Sequence, residues 1–191
     1  MIYLTIPMAR RVQVFVGEHW GREQFHYVVY AGFTLGLGGM LLAAVKASRG
    51  RLMPRHVWIM VIGLVYYRLA AQMRLSPEEA VHFLEYGILG VLLVSAFGRT
   101  HANRAAYAAA VLAGAAIGTF DEILQWLTPR RFWDLRDIGM NATGVALGVA
   151  ALGLGLRPDR LRAPVPLRSW RLVCRLGCVA ALMVLFCLVS T

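Results

Sequence analysis

The chain has 191 residues, 59% of them hydrophobic, with a formal net charge of +10 and a mean hydropathy of +0.60. An apolar share this far above the roughly 45–50% of soluble domains excludes an ordinary soluble fold. The charge is almost all arginine, since Lys46 is the only lysine, and the arginines lie mostly in short loops between apolar runs. That pattern indicates membrane topology and contacts with membrane lipids, not nucleic-acid binding.

Residues 1–26 are expected to form an N-terminal segment that precedes the membrane spans. Within it, Val12, Phe15, Val16, His19 and Trp20 recur at helical spacing, opposite charged side chains. Such a pattern is typical of an amphipathic helix that lies in the membrane interface. An ordinary polar tail is the alternative.

Six apolar runs follow, and a helix needs about 20 mainly apolar residues to cross the hydrocarbon core. The runs are Tyr27–Val45, Val57–Met73, Phe83–Phe97, Ala105–Leu127, Ile138–Leu156 and Leu172–Ser190. The second run is the weakest, because Arg68, Gln72 and Arg74 crowd its end. The sequence therefore predicts an all-α, polytopic transmembrane helical bundle with about five to six spans.

The sidedness of the chain can be predicted from its basic loops. Arginine and lysine concentrate in the loops at Lys46–Arg55 and Arg157–Arg171, and cytoplasmic loops carry an excess of such residues. Both termini are then expected outside the cytoplasm. The last region, residues 157–191, is predicted to be a basic loop followed by a C-terminal transmembrane helix.

Polar residues are concentrated in two places within this apolar chain. The stretch Asp121–Asn141 holds four carboxylates and three arginines, and His82, Glu85 and Tyr86 open another apolar run. Ionisable groups at a membrane boundary are costly unless they face protein or water, which makes them candidates for function. By the sidedness argument, both clusters are expected at the outer face of the membrane.

The spacing of the polar residues predicts that they converge. They stand at the start of the third run, the end of the fourth and the start of the fifth, and antiparallel neighbours bring these ends to one membrane face. Within each helix the spacings of three, four and seven residues place side chains on one stripe. The candidate site residues are His82, Glu85, Tyr86, Asp121, Glu122, Gln125, Arg130, Arg131, Asp134, Asp137 and Asn141.

Pairs of glycines four residues apart occur in the same runs. Gly114 and Gly118 form one pair, and Gly144 and Gly148 form another. Small residues at this spacing allow membrane helices to approach closely. The pairs therefore predict tight helix packing and not chemistry.

The two polar elements resemble motifs of the VanZ-like family of small bacterial integral membrane proteins. The first resembles a His-Phe-x-x-Tyr-x-x-Leu-Gly pattern, here His82, Phe83, Tyr86, Leu89 and Gly90. The second resembles Asp-Glu-x-x-Gln, a Pro-Gly-Arg turn, and then Asp, Asn and spaced glycines. It is matched here by Asp121, Glu122, Gln125, Pro129, Arg131, Asp137, Asn141, Gly144 and Gly148. The resemblance covers roughly Ser76–Gly148.

The family is named for a protein linked to resistance to teicoplanin, a glycopeptide antibiotic directed at cell-wall precursors. The resemblance implies a multi-pass protein of the bacterial inner (cytoplasmic) membrane with a role at the cell envelope. It also implies that residues 27–156 form a VanZ-like transmembrane core. It supplies no accepted reaction.

One hypothesis is an intramembrane enzyme that acts on an envelope lipid or a lipid-linked cell-wall precursor. His82 would be the general base or nucleophile, because imidazole titrates nearest to neutral pH. The catalytic carboxylates would be Glu85, Asp121, Glu122 and Asp137, since crowded carboxylates can have strongly split pKa values. Arg130 and Arg131 would hold a phosphate or carboxylate, which guanidinium groups bind bidentately. Tyr86, Gln125, Asp134 and Asn141 would complete substrate binding.

The alternatives use the same residues differently. The sequence requires no cofactor, although a divalent cation between the carboxylates and His82 would be a variant of the enzyme hypothesis. A second hypothesis is a protein without catalytic activity that binds a lipid headgroup or a glycopeptide. A third is an ion network that only holds the helices together. The sequence does not decide between enzyme and binder.

Overall fold

The predicted all-α class is confirmed by the computed structural model, which describes Phe15 and residues 22–72, 77–127, 134–157 and 159–190. The described residues are mostly helical, and none of them lies in a strand. The helices are α1 (Arg22–Ala47), α2 (Val57–Gln72), α3 (Pro77–Thr100), α4 (Arg104–Trp126), α5 (Leu135–Ala150), α6 (Asp159–Arg162) and α7 (Leu167–Val189). A 3-10 turn at Pro54–His56 precedes α2, and α5 continues into a π-helical turn at Ala151–Leu156.

Within the described residues, five stretches are long and apolar enough to cross a membrane. They are Tyr30–Ala47, Glu79–Thr100, Arg104–Trp126, Leu135–Leu156 and Leu167–Val189. The remaining long helix, α2, has 16 residues and rises about 24 Å, which is less than the hydrocarbon core of about 30 Å. The chain is therefore a multi-pass membrane protein with a bundle of apolar helices.

The N-terminal expectation falls largely outside the described residues. Of the five residues that form the amphipathic pattern, only Phe15 is described, as a helical residue with an exposed side chain. Residues 22–26 belong to α1. The interfacial helix stays a prediction, as do the region boundaries at residues 26 and 156.

The chain divides into two compact units, and the boundary lies within α3, between Glu85 and Tyr86. In the first unit, α1 packs against α2 through aromatic rings. The rings of Phe33 and Tyr66 are 4.8 Å apart, and those of Tyr66 and Phe83 are 4.3 Å apart. The Tyr66 hydroxyl donates a hydrogen bond to the carbonyl oxygen of Phe83, so its polar group is satisfied inside an apolar contact.

The second unit is built around α4, which packs against both α5 and α7. Its first half is lined with small side chains, and Ala106, Ala109 and Ala110 are completely buried. Small residues allow neighbouring helices to approach closely, which increases van der Waals contact where lipid offers no hydrophobic driving force. The two acidic residues of α4, Asp121 and Glu122, lie at its other end, past Gly118.

Candidate functional site

Two carboxylates are buried side by side near the end of α4. Asp121 is 1% exposed and Glu122 is 3% exposed. Adjacent residues point about 100° apart on a helix, and both are covered because α4 has neighbours on several sides. Burying an ionised carboxylate is costly unless hydrogen-bond donors or charges compensate it, so the surroundings of this pair define the site.

Two side chains from two helices supply donors to the carboxylates. Tyr86, fully buried on α3, donates from its hydroxyl to Oδ2 of Asp121 at 3.2 Å. Gln125, one turn after Asp121, donates from Nε2 to Oε1 of Glu122 at 3.2 Å and lies 3.5 Å from Oδ2 of Asp121. We call Tyr86, Asp121, Glu122 and Gln125 the Asp121 cluster.

The third helix of the site, α5, meets the cluster at a glycine. A Cβ atom placed on Gly118 would lie 2.9 Å from Cβ of Asn141 and 3.4 Å from Cε1 of Tyr86. Asn141 is 5% exposed, and its amide nitrogen lies on the same side of Gly118. The absence of a side chain at Gly118 therefore allows α5 to approach α4 closely beside the two carboxylates, where the Tyr86 ring of α3 is also in contact.

The beginning of α5 carries the remaining acidic candidates. Asp134 is the N-cap residue, and its Oδ1 accepts a hydrogen bond from the backbone N–H of Arg136 at 2.8 Å. Asp137 lies in the first turn of α5 and is half-buried. Acidic residues at this end stabilise a helix, because its N-terminus carries a partial positive charge. Asp134 thus has a local capping role that its residue type explains.

In the first unit, α3 carries His82 and Glu85 one turn apart. Nδ1 of His82 lies 3.4 Å from Oε2 of Glu85, and the two side chains are 29% and 24% exposed. At this distance the two groups form an ion pair when the imidazole carries a proton. The two side chains are therefore neighbours on one face of α3.

The structure therefore brings together part of the expected set. Tyr86, Asp121, Glu122 and Gln125 are in hydrogen-bond contact, and Asn141 adjoins them at Gly118. His82 and Glu85 form a separate pair in the other unit, so the convergence of His82 with Asp121 stays a prediction. Arg130 and Arg131 lie outside the described residues.

Gly118 is the residue whose importance for this site was missed in the sequence. Its spacing from Gly114 indicated packing alone, and nothing in the sequence indicates which side chains face it. In chemical terms the cluster offers two carboxylates, a phenol and an amide. Such groups can exchange protons with a substrate, bind a cation or bind hydroxyl groups. No group of three or more His, Cys, Asp or Glu side chains in the described part of the chain is arranged to hold a metal ion.

Comparison with known proteins yields one family. The model of the VanZ/LLP1 family matches residues 40–155, more than half of the chain. The matched region contains α2 to α5 and with them the His82–Glu85 pair and the Asp121 cluster. Searches of curated proteins and of solved structures give no match.

Proposed function

Since the chain belongs to the VanZ/LLP1 family of membrane proteins, we propose that it acts at the bacterial envelope, on an envelope lipid or a lipid-linked cell-wall precursor. The Asp121 cluster is the proposed reaction site. One observation carries the proposal: two carboxylates are buried side by side between transmembrane helices, with polar donors from two of these helices. Ionisable groups in such positions in membrane proteins are usually functional.

In the proposed reaction, Asp121 exchanges a proton with a hydroxyl group or water at the reacting centre. Its Oδ2 accepts a hydrogen bond from the Tyr86 hydroxyl at 3.2 Å, which fixes the orientation of the carboxylate. Gln125 contacts both carboxylates and would hold Glu122 beside Asp121. Asn141 would bind polar groups of the substrate, and Arg130 and Arg131 would bind its phosphate, as guanidinium groups do.

A binder without chemistry remains the second candidate. It is favoured by the same Gln125 amide, because a neutral donor shared by two carboxylates fixes their geometry and is itself chemically inert. Such a site recognises hydroxyl or amine groups of a headgroup or a glycopeptide by hydrogen bonding. The two candidates differ in whether the ligand is altered.

The test compares wild type with Asp121→Asn in mixed micelles that contain extracted bacterial envelope lipids. Products are followed by mass spectrometry, and each protein's thermal unfolding is measured in the same detergent. The matched control is Asp159→Asn, which removes an exposed carboxylate on α6. We expect wild type and the control to convert a lipid species, whereas Asp121→Asn converts it at least about 100-fold more slowly, the lower range for loss of a general acid–base group.

The unfolding measurement distinguishes chemistry from scaffolding. The amide that replaces Asp121 can still accept the hydrogen bond from Tyr86, so we expect an unfolding midpoint near that of wild type. If the carboxylate instead belongs to a structural ion network, removing it costs about 3–5 kcal/mol and lowers the midpoint by several degrees. A wild type that retains a bound lipid or glycopeptide but never alters it would refute the enzyme and support the binder.

A further inference from the structure

A second polar region lies at the opposite end of the second unit and plays no part in the proposed reaction. It is formed by the end of α3, the start of α4, the segment around α6 and the start of α7. We call it the basic end; its arginines are Arg99, Arg104, Arg157, Arg160, Arg162, Arg168 and Arg171. In these segments Asp159 is the only acidic residue.

Side-chain hydrogen bonds hold these segments together. Ser169, 1% exposed in the first turn of α7, lies 2.8 Å from Nδ1 of His101 and accepts a hydrogen bond from Nδ2 of Asn103 at 3.3 Å. The hydroxyl of Tyr107 on α4 donates to the carbonyl oxygen of Arg157 at 3.2 Å. The backbone that carries the arginines is therefore fixed before any ligand arrives, which reduces the entropic cost of binding.

One arginine of the basic end, Arg160, rests on a defined surface at Gly98, which we call its seat. The guanidinium of Arg160 rests on α3 at Gly98, so that a Cβ atom at Gly98 would collide with its Nη1. Arg160 is partly buried, whereas Arg99, Arg104, Arg157 and Arg162 are exposed. No carboxylate in the part of the chain that the structure describes forms an ion pair with Arg160.

The position of this seat favours a lipid ligand. Four candidate spans end or begin at Thr100, Arg104, Leu156 and Leu167, so the basic end lies at the level where lipid headgroups would be. The exposed side chains of Leu167 and Trp170 flank it, and tryptophan is enriched at membrane interfaces. A partly buried guanidinium without a carboxylate partner binds phosphate with charge-assisted hydrogen bonds.

We propose that Arg160, seated on Gly98, is the centre of a binding site for the headgroup of an anionic phospholipid. The exposed arginines around it attract the anionic headgroup by charge alone. The guanidinium of Arg160 also makes a contact that depends on its fixed position. The site is separate from the Asp121 cluster, at the other end of α4, and does not depend on the proposed reaction.

The experiment measures phosphatidylglycerol binding to the purified protein by native mass spectrometry, with phosphatidylcholine as the zwitterionic reference. Three variants are compared with wild type: Arg160→Gln removes the seated charge, Gly98→Ala displaces it, and Arg162→Gln removes an exposed charge from the same short helix. The alanine at Gly98 meets only the far end of a flexible side chain, so the fold should tolerate it.

We expect wild type to prefer phosphatidylglycerol, and Arg160→Gln and Gly98→Ala each to weaken its binding about fivefold, which corresponds to about 1 kcal/mol for one arginine near a membrane surface. Arg162→Gln should weaken binding less than about twofold, as expected for a screened surface charge. Equal losses for Arg160→Gln and Arg162→Gln, or no preference over phosphatidylcholine, would refute a seated site. Full competition by inorganic phosphate would show that free phosphate, and not lipid, is the ligand.

Discussion

Replacing Gly90 by alanine tests whether close helix contact holds the site together. Gly90 is buried on α3, one turn after Tyr86. A Cβ atom there would lie 2.6 Å from the carbonyl oxygen of Val145 on α5, and 3.2 Å from its Cα. Because these are backbone atoms, no change of rotamer can relieve the contact. The two helices must separate by at least about 0.4 Å to reach the shortest contact that Cβ atoms normally make.

The matched control is Gly139→Ala on α5. Gly139 is exposed, and a Cβ atom there would meet nothing within 4 Å. Alanine is favoured over glycine in a helix by about 0.8–1.0 kcal/mol, so the control should be slightly stabilised. The same propensity gain applies at Gly90, and there it is opposed by an overpacking cost of about 1–3 kcal/mol. The difference between the two variants therefore isolates the cost of separating α3 from α5.

The assay is the midpoint of thermal unfolding of the purified protein in mild detergent. With about 2–4 °C per kcal/mol for a chain of this size, we expect Gly90→Ala to unfold roughly 2–12 °C below Gly139→Ala. The separation should also disturb Tyr86, and so reduce the activity or binding assigned to the Asp121 cluster. A Gly90→Ala protein as stable as the Gly139→Ala control would refute the close contact.

Two further predictions concern sidedness and the start of α5. In a background without Cys174, Cys178 and Cys187, we expect Leu127→Cys to react with an impermeant thiol reagent in intact cells and Arg162→Cys to be protected; the reverse labelling would invert the proposed topology. Asp134→Ser should keep stability and function because serine is an equally good N-cap, whereas Asp134→Ala should lose about 1 kcal/mol of stability in thermal unfolding. A stable serine variant that fails to bind substrate would instead give Asp134 a role in the site.

The apolar runs predicted the location of the helices more accurately than the residues at which these helices begin. The third run was expected from Phe83, but α3 begins at Pro77. The sixth was expected from Leu172, but α7 begins at Leu167. In both cases the first turns contain ionisable residues, which lower the hydropathy without preventing helix formation. Hydropathy thus locates the membrane-embedded part of a helix. Capping residues locate where a helix begins, as the N-cap residue Asn103 does for α4.

The site was predicted less completely than the fold, for a different reason. Consecutive spans are antiparallel, so topology alone places the start of the third span and the end of the fourth at one membrane face. This brings Asp121 to the same face as Tyr86. It does not show that the Tyr86 hydroxyl bonds Asp121 across 35 positions, or that Gln125 contacts both carboxylates. Those contacts depend on how each helix is rotated and on how closely its neighbours approach, and neither follows from the spacing of polar residues within one helix.

The glycines link the packing to the polar site. A buried carboxylate must receive hydrogen bonds from neighbouring helices, and side chains of ordinary length reach across only if the helix backbones are close. At Gly118 that approach places Cβ of Asn141 only 2.9 Å from where a Cβ atom would be, with the Tyr86 ring at 3.4 Å. At Gly148 a Cβ atom would collide with the backbone of Gly87. The spaced glycines that indicated packing in the sequence are therefore a structural requirement of the Asp121 cluster, because they bring α3, α4 and α5 within hydrogen-bonding reach.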